Sequence, residues 1–316
     1  MKIVILDDYL HIADKFADWG QLPSDAELKV FHEPIGDESA MAETLSPFDV
    51  ICAMRERSRI GAGLIERLPN LKLIVTTGMG NASIDIAAAK ARGVVVSGTP
   101  TGGHAAAELA FAHIMALARG LYGEAESMRN GGWQAGLGRD LKGATLGLLG
   151  LGRLGAQVAG FGQAFGMKAI AWSQNLTPER AAEVGAEFVT KEDLFARSDF
   201  LTVLLRLSPR TVGFVGAAEI RLMKADAFLI NVSRGPIVDN DALVAALEAG
   251  GIAGAGLDVY DIEPLPVDSG LRRAPNLLLT PHIGYATRNS FETFYPDTLK
   301  AVLAFLDGKP IRVIEP

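Results

Sequence analysis

The segment Gly150-Leu151-Gly152-Arg153-Leu154-Gly155 constrains the fold more than any other part of this 316-residue chain. It directly follows the apolar run Ala144 to Leu149 and opens a helical stretch, Arg153 to Phe165. Strand, glycine turn and helix in that order are the context that makes such a loop a dinucleotide-binding signal. The first Gly permits the tight turn, the second lets backbone approach a pyrophosphate, and the third lets helix and strand pack closely. The helix N-terminus adds amide donors and a partial positive charge. A glycine-rich turn without a ligand is the alternative, and the strand and helix around it weigh against that.

Short β-branched runs alternate with Ala-rich stretches along the whole chain, the pattern of βα units around a parallel sheet. Strands are expected at Lys2 to Leu6, Asp49 to Ala53, Leu71 to Thr76 and Gly93 to Ser97, then from Ala144 to Leu149, Lys168 to Trp172, Phe200 to Leu205, Ala227 to Val232, Ile252 to Leu257 and Leu277 to Thr280. Their near-continuous apolar character fits strands covered on both faces. At roughly 100 to 200 residues per domain, two domains are expected. The Gly- and Pro-rich punctuation from Gly98 to Gly103 marks a boundary, followed by a helix over His104 to Arg119. A last helical stretch, about Ala286 to Asp307, suits a return to the first domain. The expectation is therefore an α/β chain of two domains, each a parallel sheet with helices on both faces. A Rossmann-type nucleotide-binding domain, residues 99–286, is inserted into a discontinuous substrate-binding domain, residues 1–98 and 287–316.

Composition excludes several function classes. With 30 Lys and Arg against 37 Asp and Glu the net charge is −7, and no basic stripe offers a track for phosphates, so nucleic acid is not an expected partner. One cysteine, Cys52, rules out an intramolecular disulfide framework and a Cys-based zinc site. No metal is expected, and a reducing, cytoplasmic setting follows. The N-terminal apolar run is too short for a signal segment and no stretch approaches the 18 or so apolar residues of a membrane span.

The second strand of a dinucleotide unit normally ends near an acid that holds the ribose hydroxyls. Here it ends Ala171-Trp172-Ser173-Gln174-Asn175, with no carboxylate to repel a 2′-phosphate and no adjacent Arg to attract one. The choice between NAD and NADP is open.

Five histidines are candidates for proton transfer. His11 and His32 read as surface or loop residues, His113 as a packed histidine in an apolar helix, and His104 either caps a helix or touches a ligand. His282 differs, because it follows Leu277-Leu278-Leu279-Thr280-Pro281 at the carboxyl end of a strand, where open α/β sheets place ligands. Arg234 and Glu263 follow two further strands on the same logic. Together they suit hydride reduction of a 2-oxo acid. His282 can give a proton to the developing alkoxide, since imidazole titrates near neutral pH. Glu263, if bonded to the ring, would orient it and favour its charged form. Arg234 offers a planar fork to the carboxylate and carbonyl oxygens.

These residues resemble the D-isomer-specific 2-hydroxyacid dehydrogenases, a family that includes phosphoglycerate dehydrogenases and glyoxylate/hydroxypyruvate reductases. The similarity runs through Met54-Arg55-Glu56-Arg57, Thr77 to Asp85, Ala107-Glu108-Leu109, the glycine loop, Asn231 to Gly235, Leu257 to Tyr260 with Glu263-Pro264, and Thr280 to Gly284. The resemblance implies an NAD(P)-dependent oxidoreductase with Arg234 as substrate-carboxylate ligand, Glu263 as partner of the acid/base and His282 as the acid/base. It implies that Arg153 and Leu154 approach the pyrophosphate, that Ser173, Val232, Ser233 and Gly284 border the cofactor, and that Asp258 meets the nicotinamide amide. Met79 and Gly80 would give backbone amides to the substrate carboxylate, and Arg55 would border the substrate pocket.

It further implies two domains closing over a cleft and a homodimer built on the helices after residue 100, although intrachain packing also explains their Ala-rich face. Arg206, where many members carry Pro, either contacts a cofactor phosphate or caps its loop. Arg55, Arg57 and Arg59 either receive a substrate phosphate or form a solvated edge. Some relatives act as dinucleotide-sensing corepressors with little turnover; Arg234, Glu263 and His282 together favour chemistry over that role.

Overall fold

Every strand pairs parallel to its neighbours, as apolar runs joined through helices should. The structure, a computed structural model, describes residues 1–316 as two units: Met1–Gly102 with Thr287–Pro316, and Gly103–Ala286.

The first unit holds a five-stranded sheet of β1 (Lys2–Ile5), β2 (Glu27–Val30), β3 (Val50–Ala53), β4 (Leu73–Thr76) and β5 (Val95–Gly98), in the order β2-β1-β3-β4-β5. The helix Arg288–Leu306 packs on β4 and β5 and buries Phe291, Phe294, Leu299 and Val302. The Tyr295 hydroxyl in that helix donates to Asp8 just beyond β1, at 3.0 Å, joining opposite ends of the chain.

The second unit holds β6 (Thr145–Leu149), β7 (Lys168–Trp172), β8 (Glu187–Phe188), β9 (Phe200–Val203), β10 (Phe228–Asn231), β11 (Gly254–Leu257) and β12 (Leu277–Leu279), in the order β12-β11-β10-β9-β6-β7-β8. Strand order reverses between β6 and β9, which opens the crevice where doubly wound sheets take ligands. Apolar clusters cover both faces, one around Phe195, Leu229 and Leu243, the other around Phe111, Ile114, Leu146 and Val158. The helix Ala105–Ala118 lies on β10 and β11 and against the helix Arg153–Ala164.

Two strands were absent from the sequence reading, β2 and β8, and both are sheet edges. β2 alternates exposed and half-buried residues and β8 is exposed, so neither shows the continuous apolar run that marks a covered strand.

Asp199, at the entry to β9, ties the second sheet to its surroundings. Its Oδ2 accepts the Thr145 amide at 2.7 Å, and its Oδ1 accepts Arg139 at 2.7 Å and Lys224 at 2.9 Å. Burial pushes this carboxyl up, but the three donors outweigh it and the net shift is downward. A carboxyl lowered on folding stabilises the fold above its unfolded pKa and loses that contribution as pH falls through the folded value. Asp199→Asn should cost about 1 to 3 kcal/mol near neutral pH, with the gap to wild type closing below the ordinary carboxylate range. Urea unfolding at pH 7 and pH 3 checks this; an equal gap at both would contradict it.

Candidate active site

His282 lies in the loop after β12 in a left-handed conformation, φ 51°. Its amide donates to the Thr280 carbonyl at 3.0 Å, and its Nδ1 meets Glu263 Oε2 at 2.6 Å. The other Glu263 oxygen accepts the Tyr260 amide at 2.9 Å, so both carboxylate oxygens are occupied and the imidazole is held in one orientation. The side chains are 13% and 21% exposed, a sheltered pair with Nε2 left as the nitrogen able to exchange a proton with a bound molecule.

Asp258, beyond β11, is fully buried beneath this loop. It accepts the Thr280 hydroxyl at 2.6 Å and the Ile283 and Gly284 amides at 2.8 Å each. Burial drives its pKa up, and those three donors and the His282 charge only partly oppose it. The Tyr260 hydroxyl donates to the Thr280 carbonyl at 2.8 Å, and burial followed by the Asp258 and Glu263 charges pushes it up, so it stays a donor.

Arg234 follows β10. Asn231 shapes its turn by donating to the Arg234 carbonyl and accepting the Ser233 amide, both at 3.0 Å. The Arg234 guanidinium donates to the Ser233 carbonyl at 2.7 Å, and the Ser233 hydroxyl donates to the Leu205 carbonyl. A Cβ at Gly235 would stand 2.1 Å from the Tyr260 carbonyl carbon, so glycine there lets the Arg234 turn lie against the segment leading to Glu263. The structure thus brings the ends of β10, β11 and β12 together.

At the crevice, Gly150 has φ 109° and its missing Cβ would be 2.9 Å from the Leu204 backbone. A Cβ at Gly155 would stand 2.3 Å from the Gly150 carbonyl oxygen, whereas one at Gly152 would meet nothing within 4 Å. Gly152 is the N-cap of the helix Arg153–Ala164 and offers it no side-chain cap, so first-turn amides face an open cradle. These features fit a dinucleotide pyrophosphate: close packing where strand meets helix, and space with donors where the ligand lies. Arg153 passes over Gly103, Ser173 is half-buried at the end of β7, and Val232 and Ser233 are buried beyond β10. Gly284 lies over Asp258, with its missing Cβ 3.1 Å from Oδ2. Arg206 is exposed on a loop closed by the Thr211 hydroxyl bonding its carbonyl at 2.8 Å. His104 is exposed at a helix start and caps nothing through its side chain.

In the first unit, Arg55 (φ 51°) braces the segment after β4. Its amide donates to the Thr77 hydroxyl at 2.9 Å and its guanidinium to the Thr77 carbonyl at 3.0 Å, and it pairs with Glu56 at 3.7 Å. Gly78 (φ 94°) leaves room for that guanidinium, and Met79 and Gly80 follow, both exposed. Arg57 donates to the Asp7 carbonyl at 3.0 Å and stacks over Tyr9, 4.3 Å from the ring centre. His11 and His32 stack on each other at 3.8 Å beside Asp8.

The residues that sequence reasoning left without a role are Asn231, Tyr260 and Thr280. Their signal was their place beside Arg234, Asp258 and His282 at strand ends, with nothing in residue type to separate them from ordinary turn residues. No His, Cys, Asp or Glu cluster is placed to hold a metal ion, and no helix is long and apolar enough to cross a membrane.

Residues 111–284 match the family model of the D-isomer specific 2-hydroxyacid dehydrogenase, NAD binding domain. A glyoxylate reductase of Thermococcus litoralis is 40% identical over 261 residues, covering 79% of this chain and 78% of that protein. A D-3-phosphoglycerate dehydrogenase of Synechocystis is 36% identical over 278 residues, 87% of this chain but only 50% of that longer protein. A crystal structure of a putative D-3-phosphoglycerate dehydrogenase from Ralstonia solanacearum superposes with a TM-score of 0.94 at 35% identity, covering 100% of this chain and 97% of that one. The two parallel sheets, the glycine cradle and these matches lead to one assignment: the chain belongs to the D-isomer-specific 2-hydroxyacid dehydrogenases, NAD(P)-using oxidoreductases acting on CH–OH groups.

Proposed function

We propose that the protein reduces a small unphosphorylated 2-oxo acid, glyoxylate or hydroxypyruvate, to the D-2-hydroxy acid. The observation that carries this reading is the Glu263–His282 pair, 2.6 Å apart, with the segment leading to Glu263 packed against the Arg234 turn. The dinucleotide supplies the hydride. Gly150, Gly152, Arg153, Leu154 and Gly155 would hold its pyrophosphate, Ser173 its adenine ribose, and Val232, Ser233, Asp258 and Gly284 its nicotinamide half. Arg234 binds the substrate carboxylate through its guanidinium fork. His282 Nε2 delivers a proton to the carbonyl oxygen as that oxygen gains negative charge, and Glu263 fixes the ring for the transfer. The Met79 and Gly80 amides donate to the substrate carboxylate, with Arg55 bordering the substrate. The first unit is accordingly the substrate-binding domain and the second the dinucleotide-binding domain.

The engagement of two of the three nearby arginines supports an unphosphorylated substrate. Arg55 is engaged by Thr77 and Glu56, and Arg57 by the Asp7 carbonyl and the Tyr9 ring, so a phosphate would have to displace internal partners of both. Rates of NADH and NADPH oxidation with glyoxylate, hydroxypyruvate and 3-phosphohydroxypyruvate test the reading. The unphosphorylated acids should give the higher kcat/KM by about ten-fold or more, as expected when a charged group lacks its partner. A phosphorylated substrate as the best one would overturn the specificity, and no turnover with any would overturn the function.

Ser173 leaves both NADH and NADPH as cofactors, since it offers neither an acid to repel a 2′-phosphate nor an adjacent Arg to attract one. Ser173→Asp should shift the ratio of kcat/KM values toward NADH by about ten-fold or more, because a carboxylate bonds the ribose hydroxyls and repels the phosphate. An unchanged ratio would remove Ser173 from the cofactor pocket.

The homodimer fits the apolar surface of the helix Leu121–Arg129 and the segment after it. Tyr122, Trp133 and Leu137 are 66%, 72% and 101% exposed, an arrangement that a second copy of the chain would cover. Sedimentation equilibrium at micromolar protein decides it; a monomer refutes this placement. The buried thiol of Cys52, which burial pushes up to about 12, suits a reducing cytoplasm.

A further inference from the structure

A buried line of hydrogen bonds reaches the His282 loop from the helix Ala105–Ala118. His113 is 2% exposed on that helix, which also buries Phe111 and Ile114, and it lies beside Leu117 over Gly256. Its Nε2 lies 3.0 Å from the Thr280 hydroxyl, which lies 2.6 Å from Asp258 Oδ1. The ring fits only because residue 256 in β11 is glycine, where a Cβ would come within 2.8 Å of His113 Nδ1.

The direction of these bonds follows from proton counting. Asp258 accepts the Ile283 amide on Oδ1 and the Gly284 amide on Oδ2, so both oxygens are engaged as acceptors and the Thr280 hydroxyl donates to Oδ1. Thr280 has one proton; given to Asp258, it leaves the hydroxyl oxygen as acceptor toward His113, whose proton must then sit on Nε2. The remaining ring nitrogen, Nδ1, makes no hydrogen bond and carries the lone pair of the neutral ring. Burial lowers the His113 pKa to about 4 against the opposing pull of the Gly256 carbonyl, so the ring stays neutral at working pH. With the opposite tautomer, the hydroxyl and the carboxylate would face each other with lone pairs.

We propose that His113 is a positioning residue for 2-oxo acid reduction. By donating to Thr280 it commits the Thr280 proton to Asp258, and Asp258 then clamps the Ile283 and Gly284 amides immediately beyond His282. The loop that carries the acid/base in a left-handed conformation is thereby fixed from a helix more than 160 residues earlier in the chain. The inference rests on the reading of His282 as the acid/base.

The test compares wild type with His113→Leu, His113→Gln, Thr280→Val and the His113→Leu/Thr280→Val double variant. It measures kcat and KM for the 2-oxo acid, the NADH dissociation constant and Tm. His113→Leu keeps the apolar packing but loses the donor, and should lower kcat about ten-fold with the 2-oxo acid KM within about two-fold. Gln places an amide nitrogen at the same reach as Nε2 and should restore most of the loss. In the Thr280→Val background, His113→Leu should have no further effect on kcat. A wild-type kcat in His113→Leu, a Gln variant as impaired as Leu, or losses that multiply in the double variant would each overturn the proposal. If His113→Leu proves unstable, the Gln variant and Thr280→Val decide by the same criteria. A wild type that reduces no 2-oxo acid refutes the functional reading instead, and the two failures are therefore distinguishable.

Discussion

His282→Ala should lower kcat for 2-oxo acid reduction by about 10²- to 10⁴-fold, the usual contribution of a positioned general acid. Dinucleotide affinity should hardly change, since the glycine cradle belongs to other loops. The backbone at His282 is left-handed, a conformation that non-glycine residues other than Asn, Asp and His rarely adopt, so Ala carries a strain of about 1 kcal/mol that Asn avoids. His282→Asn therefore separates chemistry from folding: both variants should lose the same activity, and only the Ala variant should lose Tm. Glu263→Gln should cost less, about 10- to 100-fold in kcat. The Tyr260 amide holds one position of that side chain as acceptor, which turns the new amide group toward His282 Nδ1 and forces the ring into the wrong tautomer. Stopped-flow turnover under saturating cofactor reads all three. Retained activity in His282→Asn would remove His282 from catalysis.

Gly152→Asp should weaken dinucleotide binding by about 100-fold or more while leaving the protein as stable as before or slightly more stable. The space at Gly152 admits a side chain, and φ −81° suits any residue. Aspartate there is a favourable N-cap for the helix Arg153–Ala164 and bonds the very amides that the pyrophosphate would use, worth a few tenths of a kcal/mol over glycine. The same carboxylate repels the pyrophosphate, so gain in Tm and loss of binding come from one group. Gly155→Ala behaves in the opposite sense. Its methyl would sit 2.3 Å from the Gly150 carbonyl oxygen, and relieving that contact should cost about 1 to 3 kcal/mol of stability. Fluorescence titration with NADH and NADPH beside thermal unfolding checks both. Normal binding in Gly152→Asp would mean the cradle is not where the pyrophosphate lies.

Ten strands were legible because each carries an unbroken apolar run, which burial writes into all of them except the half-buried edge β12. The edges β2 and β8 were not, because their faces are exposed or half-exposed and they carry no such run, unlike the edges β5 and β12. The glycine loop was legible through the order of strand, turn and helix. His282, Arg234 and Glu263 could be singled out by their position at the ends of apolar runs, but not the 2.6 Å contact of Glu263 with His282. That contact depends on loop conformations, as does the turn of Arg234 against Tyr260, and periodicity says nothing about either. The bracing of Thr77 by Arg55 was likewise hidden; from sequence that arginine could equally have faced solvent or substrate. His113 is the sharpest case. An apolar helix correctly announced a packed histidine, while its partner Thr280, 167 positions away, was invisible to any local pattern.

The discontinuity of the first unit has a consequence for how the chain folds as it is made. β5 needs residues 312–314 at its edge, through the Gly98 amide on the Arg312 carbonyl and the Ile314 amide on the Val96 carbonyl. Asp8 likewise waits for Tyr295. The second unit is one continuous stretch and can close as soon as Ala286 has emerged from the ribosome. At about 5 to 20 residues per second, the strands β1 to β5 spend many seconds without their final helix. The part synthesised first is therefore the part completed last, and mutations that weaken the helix Arg288–Leu306 should show first as poor yield and aggregation of newly made protein, before they show as loss of activity in the protein that survives.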